Sequence, residues 1–431
     1  MKNIGKGKLW RCVSLCVALL AFGVFASAAP TVHARALATE TVTDCTDETG
    51  LETAITDAGA GDTIDFECSG TIPIGNGAIA IDKNLTIDAS TSSGVTFDLS
   101  ASADARLEVE ANVSFTLKKL TLSNGGDAAL VNKGGNLTIT DCTFSGNKNV
   151  LGGVGGAILN VSNGTVTIAN SLFSNNSVAP SFTSQGQGGA IFNQSGRVSI
   201  TASTFSGNKG AAFGGAIYNY DTLVVTTSTF ASNQTSGGGG SAIFQGDYAK
   251  QGPPFHPNAS ATITNSTFVN NQDSQSGAAI NTTSGTLTLS NSTLSGNTPS
   301  GISNNKVQDN QTTTNLSASI LANPTNCVGI IASKGYNLET GSSCGFTQVT
   351  DQQNTDPRLG PLVDNGGPTQ TMALQAGSPA INQIPLLGPG CDTVTNTKDQ
   401  RGEPRPGTIL GTGLPGVLCD KGAYETQDKV L

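Results

Sequence analysis

The feature that most constrains this chain is a repeat along its middle, in which phenylalanine recurs every 25 to 38 residues. One unit reads Gly155-Gly156-Ala157-Ile158, then Val166-Thr167-Ile168, then Phe173 with Asn176 three residues later. Each unit holds three short alternating segments separated by Gly, Ser and Asn, and strands this short cannot form a stable sheet alone. The sequence therefore predicts a solenoid in which each strand pairs in parallel with its equivalent one coil away.

Equivalent positions of successive units are expected to stack as ladders. Core isoleucines are Ile158, Ile191, Ile217, Ile243 and Ile280. Core phenylalanines are Phe144, Phe173, Phe205, Phe230 and Phe268. Turn asparagines are Asn147, Asn176, Asn208, Asn233, Asn271 and Asn297. Serines share one further position at Ser171, Ser203, Ser228, Ser266 and Ser292. Cys142 occupies the serine position in the first unit, which predicts a buried free thiol.

These patterns predict an all-β protein, a right-handed single-stranded parallel β-helix of roughly ten coils. Apolar residues spaced three and four apart over residues 48–58 predict a short capping helix. Less regular strands are expected at Thr63–Phe66, Ala78–Ile81, Leu85–Asp88, Val95–Leu99, Leu107–Val109 and Val113–Leu122. We divide the chain into residues 1–38, a signal peptide; 39–322, the β-helix with its N-terminal cap; and 323–431, the last coils and an irregular C-terminal cap.

The first 38 residues have the pattern of an export signal. Basic residues from Lys2 to Arg11 precede an apolar run over 12–25, and Ala26-Ser27-Ala28 offers a cleavage site. An uncleaved anchor helix is the alternative, although the run is short for a membrane span. Removing this segment takes away five basic residues and no acids, so the formal net charge falls from −9 to −14. We therefore expect a secreted or cell-surface protein with no further membrane span and no nucleic-acid partner.

Six of the seven remaining cysteines fall in spaced pairs near the two ends of the chain. Proximity pairs Cys45 with Cys68, Cys327 with Cys344, and Cys391 with Cys419. Disulfide bonds are plausible in an exported chain. Zinc is the alternative, but no Cys-x-x-Cys occurs and one histidine remains after residue 38.

Candidate catalytic residues are few in the repeated coils. Residues 144–300 contain three carboxylates, Asp221, Asp247 and Asp273, and no glutamate. Asp221 and Asp247 each follow a ladder isoleucine by four residues, so they lie in the same phase of adjacent coils. Such a pair could serve a retaining glycosidase or bind Ca²⁺. The alternative, which we favour, is that both cap turns, because serines occupy this phase in other coils.

The longest insertion, residues 246–258, is the best candidate for contact with a ligand. It carries Tyr248, Phe255 and His256, and insertions leave a solenoid at its surface. A lone histidine between prolines is weak evidence for catalysis. In the tail, Asp356, Asp364, Asp399, Asp420 and Glu425 could bind Ca²⁺, but ion pairs and turn caps are the interpretation we favour. No other cofactor is indicated.

Two stretches resemble known families. The paired Gly-Gly-Ala-Ile and Phe-x-x-Asn elements over 144–297 resemble the repeats of chlamydial polymorphic outer membrane proteins. The tail resembles the bacterial choice-of-anchor Q proteins. The matching residues are 356–362, 364–369, Gly377–Ile381, 399–402, Arg405-Pro406 and Cys419–Glu425. Asn382 replaces an expected aspartate, and the family's variable C-terminal anchor is missing. The resemblance implies an exported, pectate-lyase-like solenoid with no established activity.

From these features we expect a monomeric, non-catalytic module that acts as an adhesin or structural protein. Its partner would be a polysaccharide or another cell-surface component. The alternative is a polysaccharide lyase or glycoside hydrolase of the β-helix class, for which the phase of Asp221 and Asp247 is the main evidence.

Overall fold

The structure is a computed structural model that describes residues 36–75, 77–150, 153–180, 185–247, 258–275, 277–305, 312–392, 394, 397–409, 414–415 and 418–427. These residues form the right-handed parallel β-helix of about ten coils that the repeat predicts. Three long parallel sheets run along it, and we name them A, B and C in the order in which one coil passes through A, B and then C. Of the predicted signal segment, only residues 36–38 are described.

The strands of each sheet are equivalent segments of successive coils. Sheet A comprises Thr39–Val42, Thr63–Phe66, Leu85–Asp88, Ser114–Lys118, Asn136–Thr140, Gly164–Ala169, Gly196–Thr201, Thr222–Thr226, Ser260–Thr264, Gly285–Ser290, Thr312–Ser317 and Ala332–Ser333. Sheet B comprises Gly70–Pro73, Val95–Asp98, Leu120–Ser123, Thr143–Ser145, Leu172–Ser174, Thr204–Ser206, Thr229–Ala231, Thr267–Val269, Thr293–Ser295, Ile320–Ala322 and Leu338–Glu339. Sheet C comprises Ala78–Ile81, Arg106–Val109, Leu130–Lys133, Ile158–Val161, Ile191–Asn193, Ile217–Asn219, Ile243–Gln245, Ala278–Thr282, Ser300–Asn304 and Thr325–Gly329.

A short fourth sheet, D, lies between sheets B and C in the middle coils. Its strands are Lys148–Asn149, Ser177–Val178, Lys209–Gly210, Gln234–Thr235 and Gln272–Asp273. Three antiparallel pairs lie in the tail: Leu359–Val363 with Thr371–Leu374, Ile384–Pro385 with Leu418–Cys419, and Thr408–Ile409 with Leu414–Pro415.

The core is built from the predicted apolar ladders. The isoleucines pair in parallel register from Ile158 to Ile280, and the ladder isoleucines are fully buried. The phenylalanine rings from Phe144 to Phe268 stack face to face with centroids 4.7 to 4.8 Å apart. That spacing equals the separation of neighbouring strands in a sheet, so the coil repeat itself sets the ring spacing.

The predicted polar ladders also form. Each turn asparagine donates its amide to the side-chain oxygen of the next, as Asn176 does to Asn208 at 2.9 Å. Each ladder serine accepts the backbone N–H one coil earlier, as Ser203 does from Ser171 at 3.1 Å. Cys142 stands at the start of this series, and its thiol is free and buried. These bonds satisfy turn groups that would otherwise be buried without partners.

The N-terminal end is closed by the predicted helix, α1, at Thr49–Asp57. Leu51, Ala54 and Ile55 bury its inner face against the first coils. The Cys45–Cys68 disulfide bond joins the segment before α1 to the first coil. A single 3₁₀ turn, Leu99–Ala101, is the other helical element of the described chain. One predicted strand is divided: Val113–Leu122 turns from sheet A to sheet B at Lys119, whose φ is 54°.

The C-terminal region closes the other end and then returns along the flank. Cys344 bonds to Cys327 and joins the main core with Phe346, so these residues cover the last coil. After residue 356 the chain lies against the outer face of sheet B. There Thr229 donates to the Gln370 carbonyl at 2.6 Å, and Thr267 donates to Gln400 Oε1 at 2.6 Å. The predicted C-terminal cap is therefore also a strap along one side of the solenoid, held by the third disulfide bond, Cys391–Cys419.

Candidate functional site on the outer face of sheet C

A row of side chains on the outer face of sheet C is the most unusual feature of the solenoid. Each member directly follows a ladder isoleucine, so it points outward while the isoleucine points inward. The row, which we call the outer stripe, consists of Leu159, Phe192, Tyr218, Phe244, Asn281 and Ser303. It changes from apolar to aromatic to polar along the sheet, whereas the outer face of sheet A is mostly threonine and serine.

The aromatic members of the outer stripe form a second apolar cluster outside the solenoid core. The Tyr218 ring lies 4.8 Å from Phe244 and 5.4 Å from Phe192, centroid to centroid. Phe213 and Tyr220 complete the cluster, and all five side chains are buried. Gly238 lies so close to Phe213 that a Cβ atom there would overlap the ring. Glycine therefore allows the backbone of the Gly237–Gly240 segment to cover the cluster.

Three polar atoms of the outer stripe are buried and make no well-aligned hydrogen bond in the described structure. They are the Tyr218 hydroxyl, Asn281 Oδ1 and Ser303 Oγ. Asn281 uses its amide nitrogen instead, donating to the Gly238 carbonyl at 3.3 Å. Burial raises the pKa of Tyr218 well above its ordinary value, and contact with the Tyr220 side chain and the charge of Asp247 raise it further, so the Tyr218 hydroxyl stays protonated and can donate. A buried, unpaired polar group costs about 1–3 kcal/mol, so three in one row are expensive unless a ligand or water pairs with them.

Asp221 and Asp247 border the outer stripe at the corner between sheets C and A. They hold equivalent positions, because Asn219 and Gln245, two residues before them, are paired in register. Asp221 accepts the Gly196 N–H at 2.8 Å and the Thr222 hydroxyl at 3.1 Å.

The Asp247 carboxylate is also engaged in this corner. Asp247 is 3% exposed and accepts the Ser284 hydroxyl at 3.3 Å. One turn cap recurs here across coils: Ser195 accepts from Asn163, Asp221 from Gly196, and Ser284 from Asp247. Both carboxylates thus take part in the pattern of turn hydrogen bonds.

The insertion that leaves this corner lies mostly outside the described residues. Tyr248, Phe255 and His256 are among those outside, so their candidacy as ligand contacts stays a prediction. Gly246, Asp247, Asn258 and Ala259 are described and join the insertion to the ends of sheets C and A. The insertion therefore begins and ends beside the outer stripe.

A separate groove of about 410 Å³ lies between the tail and the corner of sheets A and B. Asp141, Asn170 and Thr204 line it on the solenoid side, and Asp364 and Gln370 line it on the tail side. The groove is polar and open, and Asp364 already accepts the Gly366 N–H in a tight turn. Across the described part of the chain, no group of three or more His, Cys, Asp or Glu side chains could hold a metal ion.

The conspicuous acids of the tail form a buried ionic network. Asp399 accepts two bonds from the Arg401 guanidinium, at 2.7 and 2.9 Å, while Arg401 lies over the Tyr424 ring. Fully buried Arg405 pairs with Glu425 at 3.2 Å. Burial raises the pKa of Glu425 to about 7, with a further contribution from Asp420. These contacts join segments of the tail to one another.

The chain was compared with protein families and with solved structures. A family described as "Right handed beta helix region" matches residues 169–317. Among solved structures, that of pectate lyase Pel9A is similar with a TM-score of 0.54 and 14% identity, covering 90% of this chain and 96% of that one. A mutant of the PL6 family alginate lyase AlyGC aligns with a TM-score of 0.33 and 12% identity, over 86% and 60% of the two chains. No curated protein matches by sequence.

The family match and the pectate lyase Pel9A structure show a shared fold, the pectate-lyase-like right-handed parallel β-helix. Our sequence reasoning did not single out Phe192, Tyr218, Phe244 or Asn281. The signal was present, because each follows a ladder isoleucine and alternation requires it to point outward. Among the described residues, no helix is long and apolar enough to cross a membrane.

Proposed function

We propose that the protein is an exported, non-catalytic binding module whose outer stripe binds a neutral polysaccharide. One observation carries the proposal: Tyr218, Asn281 and Ser303 present buried polar atoms that no well-aligned hydrogen bond satisfies, beside a row of aromatic rings. Binding sites for small ligands typically combine an apolar or aromatic lining with a few polar groups that fix orientation. Sugars suit such a site, because their C–H faces pack on aromatic rings while their hydroxyls pair with polar atoms.

The charge of the stripe favours a neutral polymer over an acidic one. No member of the stripe carries a charge, and the whole chain has a formal net charge of −9. An anionic polymer would be repelled unless a cation intervened. The Gly237–Gly240 segment covers part of the stripe, so ligand entry requires this segment to move. Its four glycines have no side chains to unpack, so the cost of that movement lies in the backbone bonds that the Gly239 and Gly240 carbonyls accept from Gly214 and Gly215.

Export is supported by several independent features. The first 38 residues have the pattern of a signal peptide, and the described chain forms three disulfide bonds. The tail resembles choice-of-anchor Q proteins and the coils resemble polymorphic outer membrane protein repeats. We infer a secreted or cell-surface location, with the tail serving as a stabilising strap.

A polysaccharide-active enzyme is the second candidate. The equivalent positions of Asp221 and Asp247 and the fold shared with a pectate lyase favour it. Retaining glycosidases place two carboxyl groups about 5 Å apart on either side of the bond that is cleaved. Here Asp221 pairs with Gly196 and Thr222, and Asp247 with Ser284. A carboxylate held by turn hydrogen bonds is less available as a nucleophile, so we rank this function second.

The test is binding of the protein without residues 1–38 to a panel of neutral glucans, mannans and galactans, with pectate and alginate as acidic comparisons. We expect retardation in affinity electrophoresis on at least one neutral polymer and on neither acidic one. Tyr218→Phe should weaken that binding at least about tenfold, the value of one lost hydrogen bond in a dry site. Tyr424→Phe, a matched change in the tail, should leave it unchanged.

Three outcomes would contradict this proposal. Retardation on the acidic polymers alone would reverse the expected charge preference. Equal binding by the wild type and Tyr218→Phe would move the site away from the outer stripe. New reducing ends that disappear in Asp221→Asn or Asp247→Asn would establish the enzymatic alternative.

A further inference from the structure

The outer face of sheet A carries a regular array of hydroxyl groups. Seven consecutive strands of sheet A, from Asn136–Thr140 to Thr312–Ser317, share one pattern of alternation. In each strand three residues point outward, and the two residues between them are apolar or small and point inward. Of these 21 outward positions, 12 are threonine and 4 are serine. We call this surface the hydroxyl face. Outward strand positions favour threonine, and sheet B also carries an outward threonine row. In that row Thr229, Thr267 and Thr293 are bonded to the tail, and sheet C carries the aromatic stripe instead.

The hydroxyl face is a lattice in two dimensions. All six pairings between its seven strands are parallel and keep one register without a shift. Equivalent residues therefore repeat at about 4.8 Å across strands, and alternate residues repeat at roughly 6.6 Å along them. The stacked core beneath holds these spacings fixed, so the array does not have to be ordered when a ligand binds.

Hydroxyls at the centre of the lattice are free to face solvent. Thr138, Thr167, Thr262 and Thr288 occupy one row, are exposed or half-buried, and make no side-chain hydrogen bond within the described protein. The edge row is different, because Thr201 and Thr226 bond to each other at 3.0 Å. Arg197 is the one charged residue among the 21 positions, and residues 136–317 as a whole carry only ten charged side chains. The face is thus almost uncharged, as the surrounding coils are.

We propose that the hydroxyl face binds the surface of ice. A flexible polymer does not require a lattice: it would gain more from a groove or from aromatic rings, and the central row of this face has neither. A rigid, uncharged crystal surface that repeats in two dimensions can instead collect many weak contacts at once. Threonine supplies a hydroxyl that can join the hydrogen-bonded water of the crystal and a methyl group that limits rearrangement of water beside it.

The near absence of charge suits the same ligand, although the surrounding coils share it. Ammonium and carboxylate groups hold their own tightly bound water, whose arrangement does not match a crystal of water. One charge placed in the central row should therefore damage the face more than a charge elsewhere. The described residues of the tail border the edge row, where Thr226 and Thr264 face Thr397 and Lys398, and none of those tail residues covers the central row.

The experiment uses the protein from which residues 1–38 have been removed. It measures the fraction of that protein which is incorporated into a slowly grown ice hemisphere. Growth arrest of a single ice crystal is the second readout. We expect enrichment in ice well above that of serum albumin. Thr262→Lys should reduce the ice fraction to the albumin level. Thr71→Lys, an exposed strand threonine on sheet B, is the matched control and should retain the wild-type value.

Circular dichroism and thermal unfolding check that each variant folds. Thr262→Ser should give an intermediate ice fraction, because serine keeps the hydroxyl group and lacks the methyl group. Exclusion of the wild type from ice to the same extent as albumin would overturn the proposal. Equal ice fractions for Thr262→Lys and Thr71→Lys would also overturn it. Adsorption of the wild type to microcrystalline cellulose, with no enrichment in ice, would overturn it as well. Tyr218→Phe should leave the ice fraction unchanged, which separates this test from that of the outer stripe.

Discussion

At the scale of single residues, Cys142 illustrates how a ladder position controls chemistry. Burial raises the pKa of its thiol to about 11. Its Sγ lies 3.3 Å from the Thr140 carbonyl, as the ladder Ser171 hydroxyl lies 2.7 Å from Ala169. Because the thiolate is the reactive form, we expect alkylation at pH 8 to be roughly a hundredfold slower in the native protein than in urea. Mass spectrometry of maleimide-treated samples measures this rate, and equal rates would contradict burial of the thiol.

A second test at this position replaces Cys142 with serine, the residue that occupies the rest of the ladder. Cys142→Ser should change the free energy of unfolding by less than about 1 kcal/mol, because serine makes the same backbone bond in later coils. Urea titration measures the difference. A loss above about 2 kcal/mol would show that the coil of Cys142 needs the larger sulfur atom.

Glu425 gives folding a pH dependence of predictable sign. Its pKa is raised from 4.5 to about 7 by burial, so the folded protein keeps a proton that the unfolded chain loses over this range. Stability from this group is complete below pH 4.5 and falls as the pH rises through 7. We expect the wild type to lose on the order of 2–3 kcal/mol between pH 5 and pH 8 from this group.

The matching experiment compares urea unfolding at these two pH values in three proteins. Glu425→Gln cannot titrate, so its stability should differ less between pH 5 and pH 8 than that of the wild type. Glu67→Gln, at an exposed position, should behave as the wild type does. Identical pH dependence in all three proteins would rule out Glu425 as the source.

At the scale of elements, the asparagine ladder holds the turns of the solenoid. Asn208 accepts two bonds from Asn176 and donates to Asn233 and to the Phe173 carbonyl, all within 3.0 Å. Asn208→Ala removes these bonds and leaves several buried partners unpaired, so we expect a loss of about 3 kcal/mol. Ser174→Ala, at a half-buried outward position of the preceding coil, should cost less than about 0.5 kcal/mol. Equal losses would contradict a structural role for the ladder.

The same elements show what can be predicted from sequence. The Phe173 and Asn176 ladders and helix α1 were predictable because each depends on a period, and the three disulfide bonds because each partner lies near in sequence. The division of Val113–Leu122 at Lys119 was not, since one residue in the left-handed region turns the chain without glycine or proline. A second ladder, through Asn132, Asn160, Asn193, Asn219 and Gln245, was also missed, although it repeats with the isoleucines.

At the scale of the whole molecule, the position of the tail could not be predicted. Gln400 donates to Thr229 at 2.8 Å and to Thr369 at 2.9 Å, across 171 and 31 residues of sequence. Contacts between single polar residues so far apart leave no periodic signal. The outer stripe was missed for a related reason: its period is visible, but the absence of partners for Tyr218 and Asn281 depends on what surrounds them in three dimensions.

The central claim is that Tyr218 serves a ligand and not the fold, and thermal unfolding with and without a bound neutral oligosaccharide tests it most directly. The free Tyr218→Phe variant should unfold at the wild-type temperature or higher, because it removes an unpaired buried hydroxyl. The oligosaccharide should raise the unfolding temperature of the wild type and have a much smaller effect on the variant. A free variant that unfolds several degrees below the wild type, with an equal shift on adding the sugar, would contradict the claim.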